Sequence, residues 1–267
     1  MPELPEVETI RRDLLPLVGS RLREVMIKQP RLVRPDPATF RDRLRGRTLR
    51  GISRRGKLLI FDWGENLLLV HLGMTGALIL AGDTAEPSHT RVILELDRGR
   101  IYYADPRGFG WLEALPREDL PRHPFYQKLG PEALEISLAE FEARLAASRS
   151  RIKSLLLDQR VLAGLGNIYT DEALFRAGIH PARRAADLSP QERKRLYEAI
   201  REVLRRGIEL RGSSVRDYVD GQGKSGRFQE EHCVYGRRGL PCPSCGRPLQ
   251  YQKIAGRGTT FCPFCQR

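Results

Sequence analysis

Apolar positions recur along the chain with two different periods, and the change of period divides it. In PEVETIRRDLL, beginning at Pro5, Val7, Ile10 and Leu14 share one helical face, proline and acidic residues stand near the start, and Pro16 limits the extent. A short helix therefore leads the chain. From about residue 20 to residue 115 the pattern changes to short apolar or alternating runs: KLLIFDW, NLLLVHL, GALIL, TRVILELD and RIYYAD, separated by Gly, Asn and Asp. Arg98-Gly99 between two of them predicts a tight hairpin, and the whole segment reads as a β-sandwich with the opening helix against it.

The proline-rich stretch from Leu115 to Pro131 reads as a linker. After it the period is helical in AEFEARLAA, RIKSLLLDQ and NIYTDEALFRAG. A further helix opens on the capping box Ser189-Pro190-Gln191-Glu192 and carries Leu196, Ile200, Val203, Leu204 and Ile208 on one face. From Arg211 to Gly226 the chain is rich in Gly, Ser and Asp and poor in apolar residues, a loop long enough to be functional. The expected architecture is α+β and multidomain: a β-sandwich domain over residues 1–130, a helical domain over 131–226 and a small C-terminal module over 227–267.

That last module has too few apolar residues for a core, and cysteine spacing supplies the alternative. Cys242, Cys245, Cys262 and Cys265 form C-x2-C-x16-C-x2-C, in which each pair grips a metal from a tight turn and the intervening residues can form a β-hairpin. One structural zinc ion per chain is expected; four thiolates leave no open position for a catalytic water. Cys233, the fifth cysteine, reads as an ordinary buried thiol.

Charge then narrows the class. The chain has 46 Lys plus Arg against 33 Asp plus Glu, a net +13, which favours a polyanionic partner. Residues 224–267 alone carry eight basic and two acidic residues. No apolar run reaches the ~20 residues of a membrane span, and MPELPEVET lacks the basic and then apolar order of a signal peptide. A cytoplasmic, monomeric nucleic-acid-binding protein is the expectation.

Removal of Met1 would expose the secondary amine of Pro2 beside Glu3. An α-amino group has a pKa of about 8, so roughly a tenth of it is neutral at pH 7, far more than for a lysine. Such an amine is a ready nucleophile. Pro2-Glu3-Leu4-Pro5-Glu6-Val7-Glu8-Thr9 resembles the opening of the formamidopyrimidine-DNA glycosylase family, bacterial enzymes that remove 8-oxoguanine and ring-opened purines. The resemblance continues in order through Arg55-Gly56-Lys57, His71-Leu72-Gly73-Met74-Thr75-Gly76, Asp105-Pro106-Arg107-Gly108-Phe109-Gly110 and Gly164-Leu165-Gly166-Asn167-Ile168-Tyr169. It runs on through Ala177-Gly178-Ile179-His180-Pro181 and Val234-Tyr235-Gly236-Arg237 into the cysteines, so it covers essentially the whole chain.

The resemblance implies a helix-two-turn-helix in the central domain, a zinc-finger hairpin at the end, and double-stranded DNA with oxidised purines or abasic sites as the partner. It also implies base flipping, attack of the Pro2 amine on C1′, an iminium that permits β- and then δ-elimination, and Glu3 as general acid. Lys57 and Arg257 would assist at phosphates beside the lesion. Met74, Arg107 and Phe109 would fill the vacated space, with Arg107 on the orphaned cytosine. His71, His89, Arg149, Lys153, Asn167 and Tyr235 would be further DNA contacts, with Arg149 and Lys153 on one helix and Asn167 just before the next. Glu6 is placed to orient Pro2, and the Arg211 to Gly226 loop to enclose a flipped purine. Gly108 departs from the family's common basic residue, leaving one phosphate contact without its side chain. The alternatives are the related endonuclease VIII type, which prefers oxidised pyrimidines, and a non-catalytic damaged-DNA-binding protein; the PELPEVET opening and long loop favour the purine enzyme.

Overall fold

A computed structural model describes residues 2–81, 85–254 and 256–267. They divide into two compact units, Met1–Gln127 with Ile208–Arg227, and Lys128–Gly207 with Phe228–Arg267. The contact division differs from the sequence division in two respects: residues 208–227 belong with the N-terminal unit, and the cysteine module shares a unit with the helices.

The first unit opens on helix α1 (Leu4–Leu14), continued by a 3-10 turn over Leu15–Leu17 that contains Pro16. Strand β1 (Leu22–Ile27) follows, then β2 (Val33–Arg34), helix α2 (Pro37–Leu44), β3 (Gly51–Arg55), β4 (Leu58–Asp62), β5 (Asn66–His71), β6 (Ala77–Leu80), β7 (Thr90–Leu96), β8 (Gly99–Ala104) and β9 (Trp111–Pro116). They form two sheets, β1-β7-β8-β6 and β2-β9-β5-β4-β3, antiparallel except for the β2 to β9 pair. The expected sandwich is present. Its core combines Val7, Ile10 and Leu14 of α1 with Leu59, Phe61, Leu68 and Val70 of one sheet and Val92, Leu94, Ile101 and Tyr103 of the other. The β7 to β8 turn is Asp97-Arg98, one residue earlier than expected, because Gly99 is already paired with Leu96.

The segment after Leu115 is not a bare linker. Trp111–Pro116 is a strand, Arg117–Arg122 a 3-10 helix and Pro124–Gln127 a short helix, α3. Leu120, Phe125 and Tyr126 cover Leu58, Ile60, Leu67 and Leu69. Strands β4 and β5 are thus buried on both faces, which is why KLLIFDW and NLLLVHL are continuous apolar runs and not alternating ones. Helix α2 has a weaker sequence signal, with only Phe40 and Leu44 buried, but Asp36 caps it by accepting from the N–H groups of Ala38 and Thr39.

The second unit contains α4 (Leu138–Ala146), α5 (Ile152–Leu157), α6 (Asn167–Ala177) and all but the last two residues of α7 (Pro190–Glu209), then β10 (Gln250–Ile254) paired with β11 (Arg257–Phe261). The capping box forms: Ser189 N–H donates to Glu192 at 2.8 Å and Glu192 N–H to the Ser189 hydroxyl at 3.3 Å. Gly207 of α7 lies against the Tyr169 ring, where an added Cβ would come within 2.4 Å. Helix α6 ends on Gly178 in the left-handed conformation. The cysteine module is not a free tail, because Cys242, Cys262, Leu249 and Val234 pack on Phe175 of α6, and the Gln266 amide bonds to the Ile179 carbonyl. Cys233 is half-buried at the edge of this cluster.

Candidate active site

The chain's first described residues are held by a helix start. Glu3 is the N-cap of α1, and the Glu6 carboxylate reaches back to accept from Glu3 N–H at 2.8 Å. The other Glu6 oxygen accepts from Ser213 N–H at 2.8 Å. One buried carboxylate therefore fixes the peptide next to Pro2 and the root of the 211–226 segment together. Glu6 was expected near Pro2; its bond to Ser213 was not legible, because it spans 207 residues of sequence. Pro2 and Glu3 are buried, and the expected removal of Met1 falls outside the described residues.

The same segment is anchored a second time. Arg211, in the left-handed region at φ 62, donates to Asp13 of α1 at 2.6 Å and to the fully buried Asp220 at 2.6 Å. Asp220 also accepts from the N–H groups of Gln222 and Lys224, and Asp13 from Gly221 N–H. The loop is thus tied at Arg211, Ser213 and Gly221 to the helix that follows Pro2-Glu3.

Further along α1, Glu8 is bonded by Arg11, Arg12 and Arg54. Burial alone would push its carboxyl up, but these guanidinium hydrogen bonds and charges hold it down at about 2, from an ordinary 4.5. A depressed pKa contributes stability that is complete above pH 4.5 and is lost as pH falls towards 2. Glu8→Gln is expected to remove this acid-dependent part, at most on the order of 3 kcal/mol. Acid titrations of wild type and variant followed by circular dichroism should converge below pH 2; parallel curves would contradict the assignment.

Lys57 sits on the Gly56-Lys57 turn between β3 and β4 and is largely buried. His71, at the end of β5, stacks on Trp111 at 5.7 Å and meets Phe125 edge-on at 5.3 Å. Burial, with help from the Lys57 charge, lowers its pKa to about 4, so the ring is neutral at physiological pH. Its Nδ1 accepts from Gly73 N–H at 3.2 Å, which leaves Nε2 protonated as a donor. Met74 and Phe109 are exposed, and the Arg107 guanidinium lies 4.7 Å above the Phe109 ring. Met74 lies in the β5–β6 turn and Arg107 and Phe109 in the β8–β9 turn, and the buried Asp105 ties the two together, accepting from Thr75 at 2.7 Å, Gly110 N–H at 2.9 Å and Arg107 N–H at 3.2 Å. His89 is exposed, with φ 60.

In the second unit two expectations change. Lys153 was expected to meet phosphate, but it is fully buried, and Nζ donates to Asp171 at 2.5 Å, Thr259 Oγ1 at 2.8 Å and the Gly258 carbonyl at 3.3 Å. An ammonium removed from water is satisfied by a carboxylate on α6 and the β11 backbone. Asn167 is the first residue of α6 and not the residue before it, and its amide donates to the same Gly258 carbonyl at 3.0 Å. Both residues clamp the peptide next to Arg257. Arg149 is exposed in the connection between α4 and α5, not on a helix with Lys153. Arg257 is exposed and opens β11, opposite Ile254.

Tyr235 is placed by a residue that the sequence reading passed over. Glu172, buried on α6, accepts from the N–H groups of Cys233, Val234 and Tyr235 at 2.8, 2.9 and 2.8 Å. The signal was there: Asp171 and Glu172 are adjacent acids in a helix whose other positions are largely apolar.

The four cysteines fit a metal. Their Sγ atoms lie within 4.8 Å of one another, with 3.9 Å between Cys242 and Cys265 and 3.6 Å between Cys245 and Cys262. Tetrahedral zinc with bonds of about 2.3 Å requires sulfurs roughly 3.8 Å apart. Among the described residues this is the one such cluster, and it is positioned to bind one structural zinc ion.

Comparison with known proteins agrees along the chain. Residues 1–112 match the family model of the formamidopyrimidine-DNA glycosylase N-terminal domain, 129–219 that family's H2TH domain, and 239–267 the zinc finger found in FPG and IleRS. Formamidopyrimidine-DNA glycosylase of Desulfitobacterium hafniense is 47% identical over 272 residues, covering 100% of both chains. The crystal structure of the Thermus thermophilus protein, 47% identical, superposes with a TM-score of 0.90 over 99% of this chain and 98% of that one. A Lactococcus lactis variant in complex with Fapy-dG-containing DNA, 39% identical, reaches 0.93 with 100% of both chains covered. This chain belongs to the formamidopyrimidine-DNA glycosylase family.

Proposed function

We propose that this chain is a bifunctional glycosylase and lyase of DNA base excision repair, acting on 8-oxoguanine and ring-opened purines in double-stranded DNA. The observation that carries the reading is Pro2-Glu3 held at the start of α1 by the Glu6 carboxylate, so that removal of Met1 would leave a terminal amine beside an acid on a fixed peptide.

In this reading the Pro2 amine attacks C1′ of the flipped nucleotide and the damaged base departs. Glu3 moves protons at the sugar, and the iminium acidifies the C2′ proton so that eliminations cut the strand. Lys57 and Arg257 serve the flanking phosphates and assist these steps. Met74, Arg107 and Phe109 occupy the space the base leaves, which suits their exposure on one ordered turn system. His71 offers a neutral Nε2–H donor to phosphate; His89, Arg149, Asn167 and Tyr235 add contacts. Lys153 acts through the hairpin it holds. The segments 1–130, 131–226 and 227–267 serve as catalytic, DNA-gripping and zinc-finger parts. No helix among the described residues is long and apolar enough to cross a membrane. We place the enzyme in the cytoplasm as a monomer, working on nucleoid DNA.

Borohydride trapping tests the reading. Fully processed wild-type protein is expected to form a covalent adduct with a duplex carrying 8-oxoguanine opposite cytosine, and Pro2→Gly to lose base excision by orders of magnitude. Faster trapping on an oxidised pyrimidine would assign the chain to the endonuclease VIII type. No adduct on any lesion would leave a binding protein.

A further inference from the structure

Gly108 lies in the turn between β8 and β9, in the left-handed region at φ 65, between Arg107 and Phe109. The space its side chain would occupy is taken. A Cβ there would stand 2.8 Å from Nη2 and 3.7 Å from Cζ of Arg31. Arg31 comes from a distant part of the chain, the 3-10 turn Pro30–Leu32 that precedes β2. Buried Leu32 pins that turn, while Arg31 itself is exposed.

Among the described residues Arg31 makes no hydrogen bond or ion pair; its Nη2 end lies against the glycine, and its other donors remain available. The surrounding charges do not offer a partner. Asp105, the carboxylate of this turn, is buried and committed to Thr75, Tyr103 and two backbone N–H groups. Arg91 donates to the carbonyls of Asp105 and Pro106. Glu113 belongs to His123 and, at 3.9 Å, to Arg34. Arg31, Arg91 and Arg107 therefore leave the turn with a cationic excess, which is unfavourable without an anion and favourable with one.

We propose that Arg31 binds a backbone phosphate of the duplex beside the base left unpaired by flipping, providing from another element the cation that position 108 lacks. The proposal rests on the DNA-repair reading above. Glycine at 108 serves it twice: it adopts the left-handed turn without strain, and it makes room for the guanidinium. Arginine suits the role because its donor fork matches phosphate oxygens in pairs.

The test is equilibrium binding to a duplex carrying an uncleavable tetrahydrofuran abasic analogue opposite cytosine, measured across a series of salt concentrations. Arg31→Ala is expected to weaken binding about tenfold and to make the log K against log salt slope shallower by roughly 0.9, the share of one phosphate. In the double variant R31A/G108R the space is cleared, and the arginine at 108 is expected to restore the slope. Methylphosphonate substitution at the contacted phosphate should weaken wild type by the same factor and leave R31A unaffected. An unchanged slope in a folded R31A protein, whatever its affinity, overturns the proposal, because packing of the turn would not change counterion release. Borohydride trapping by wild type is scored separately, so a failed glycosylase reading and a failed phosphate contact give different results.

Discussion

Cys245→Ser is expected to release the zinc and abolish measurable binding to lesion DNA while leaving the β-sandwich unit folded. The size of the effect follows from how little else holds residues 233–267. Their apolar cluster is small, and Cys242 and Cys262 are themselves among its buried members. Metal binding supplies on the order of 10 kcal/mol to such modules, more than the whole stability of many domains. Loss of one thiolate opens the site to water, and the β10–β11 hairpin loses the base that sets its direction. Arg257 is exposed at the tip of that hairpin, so its placement depends on the metal although it does not touch it. Zinc content by mass spectrometry, near-UV circular dichroism and affinity for an abasic-analogue duplex decide the matter. A metal-free variant that binds as tightly as wild type would refute the dependence.

Much of this arrangement could be read from the chain. The cysteine spacing gave the metal site, since two C-x-x-C pairs leave few other chemistries. Periodicity gave α1, the paired strands and the helices, because each buries one or both faces in a regular pattern. It fell short where burial was irregular or supplied from afar. Helix α2 buries only two apolar side chains, and the 117–127 segment looks like a linker because its prolines hide the three apolar residues that cover β4 and β5. Motif resemblance named Lys153 and Asn167 but not what they touch. A lysine's chain position does not tell whether its ammonium faces phosphate or an aspartate 18 residues on. The long-range carboxylates, Glu6 to Ser213 and Asp13 to Arg211, are equally silent in sequence, since neither partner carries a pattern of its own.

Asp171→Ala is expected to be far more damaging than its lack of any proposed chemistry suggests. The side chain is 2% exposed, and Lys153, its partner, is fully buried. Burial pushes the Asp171 carboxyl up to about 7, with the Lys153 charge and hydrogen bond opposing that rise. Removing the carboxylate takes the counter-charge from a buried ammonium that also donates to the Thr259 hydroxyl and the Gly258 carbonyl, a loss of about 3–5 kcal/mol. The helical unit should melt on the order of 10 °C lower. Lys153→Met should cost less, because the aspartate it leaves behind can take up a proton, whereas the stranded lysine of the first variant must expel one from an ordinary value near 10.4. The double variant K153M/D171N should recover most of the stability of wild type, since a buried ion pair contributes little over a neutral replacement. Function should not recover with it. Lys153 and Asn167 both donate to the carbonyl of Gly258, next to Arg257, so the double variant keeps one of the two clamps. Its strand-cleavage rate should remain below wild type by roughly tenfold at restored melting temperature, the share of one charged hydrogen bond. Calorimetry and single-turnover cleavage of an abasic duplex separate the two effects; full recovery of both would show that the pair serves stability alone.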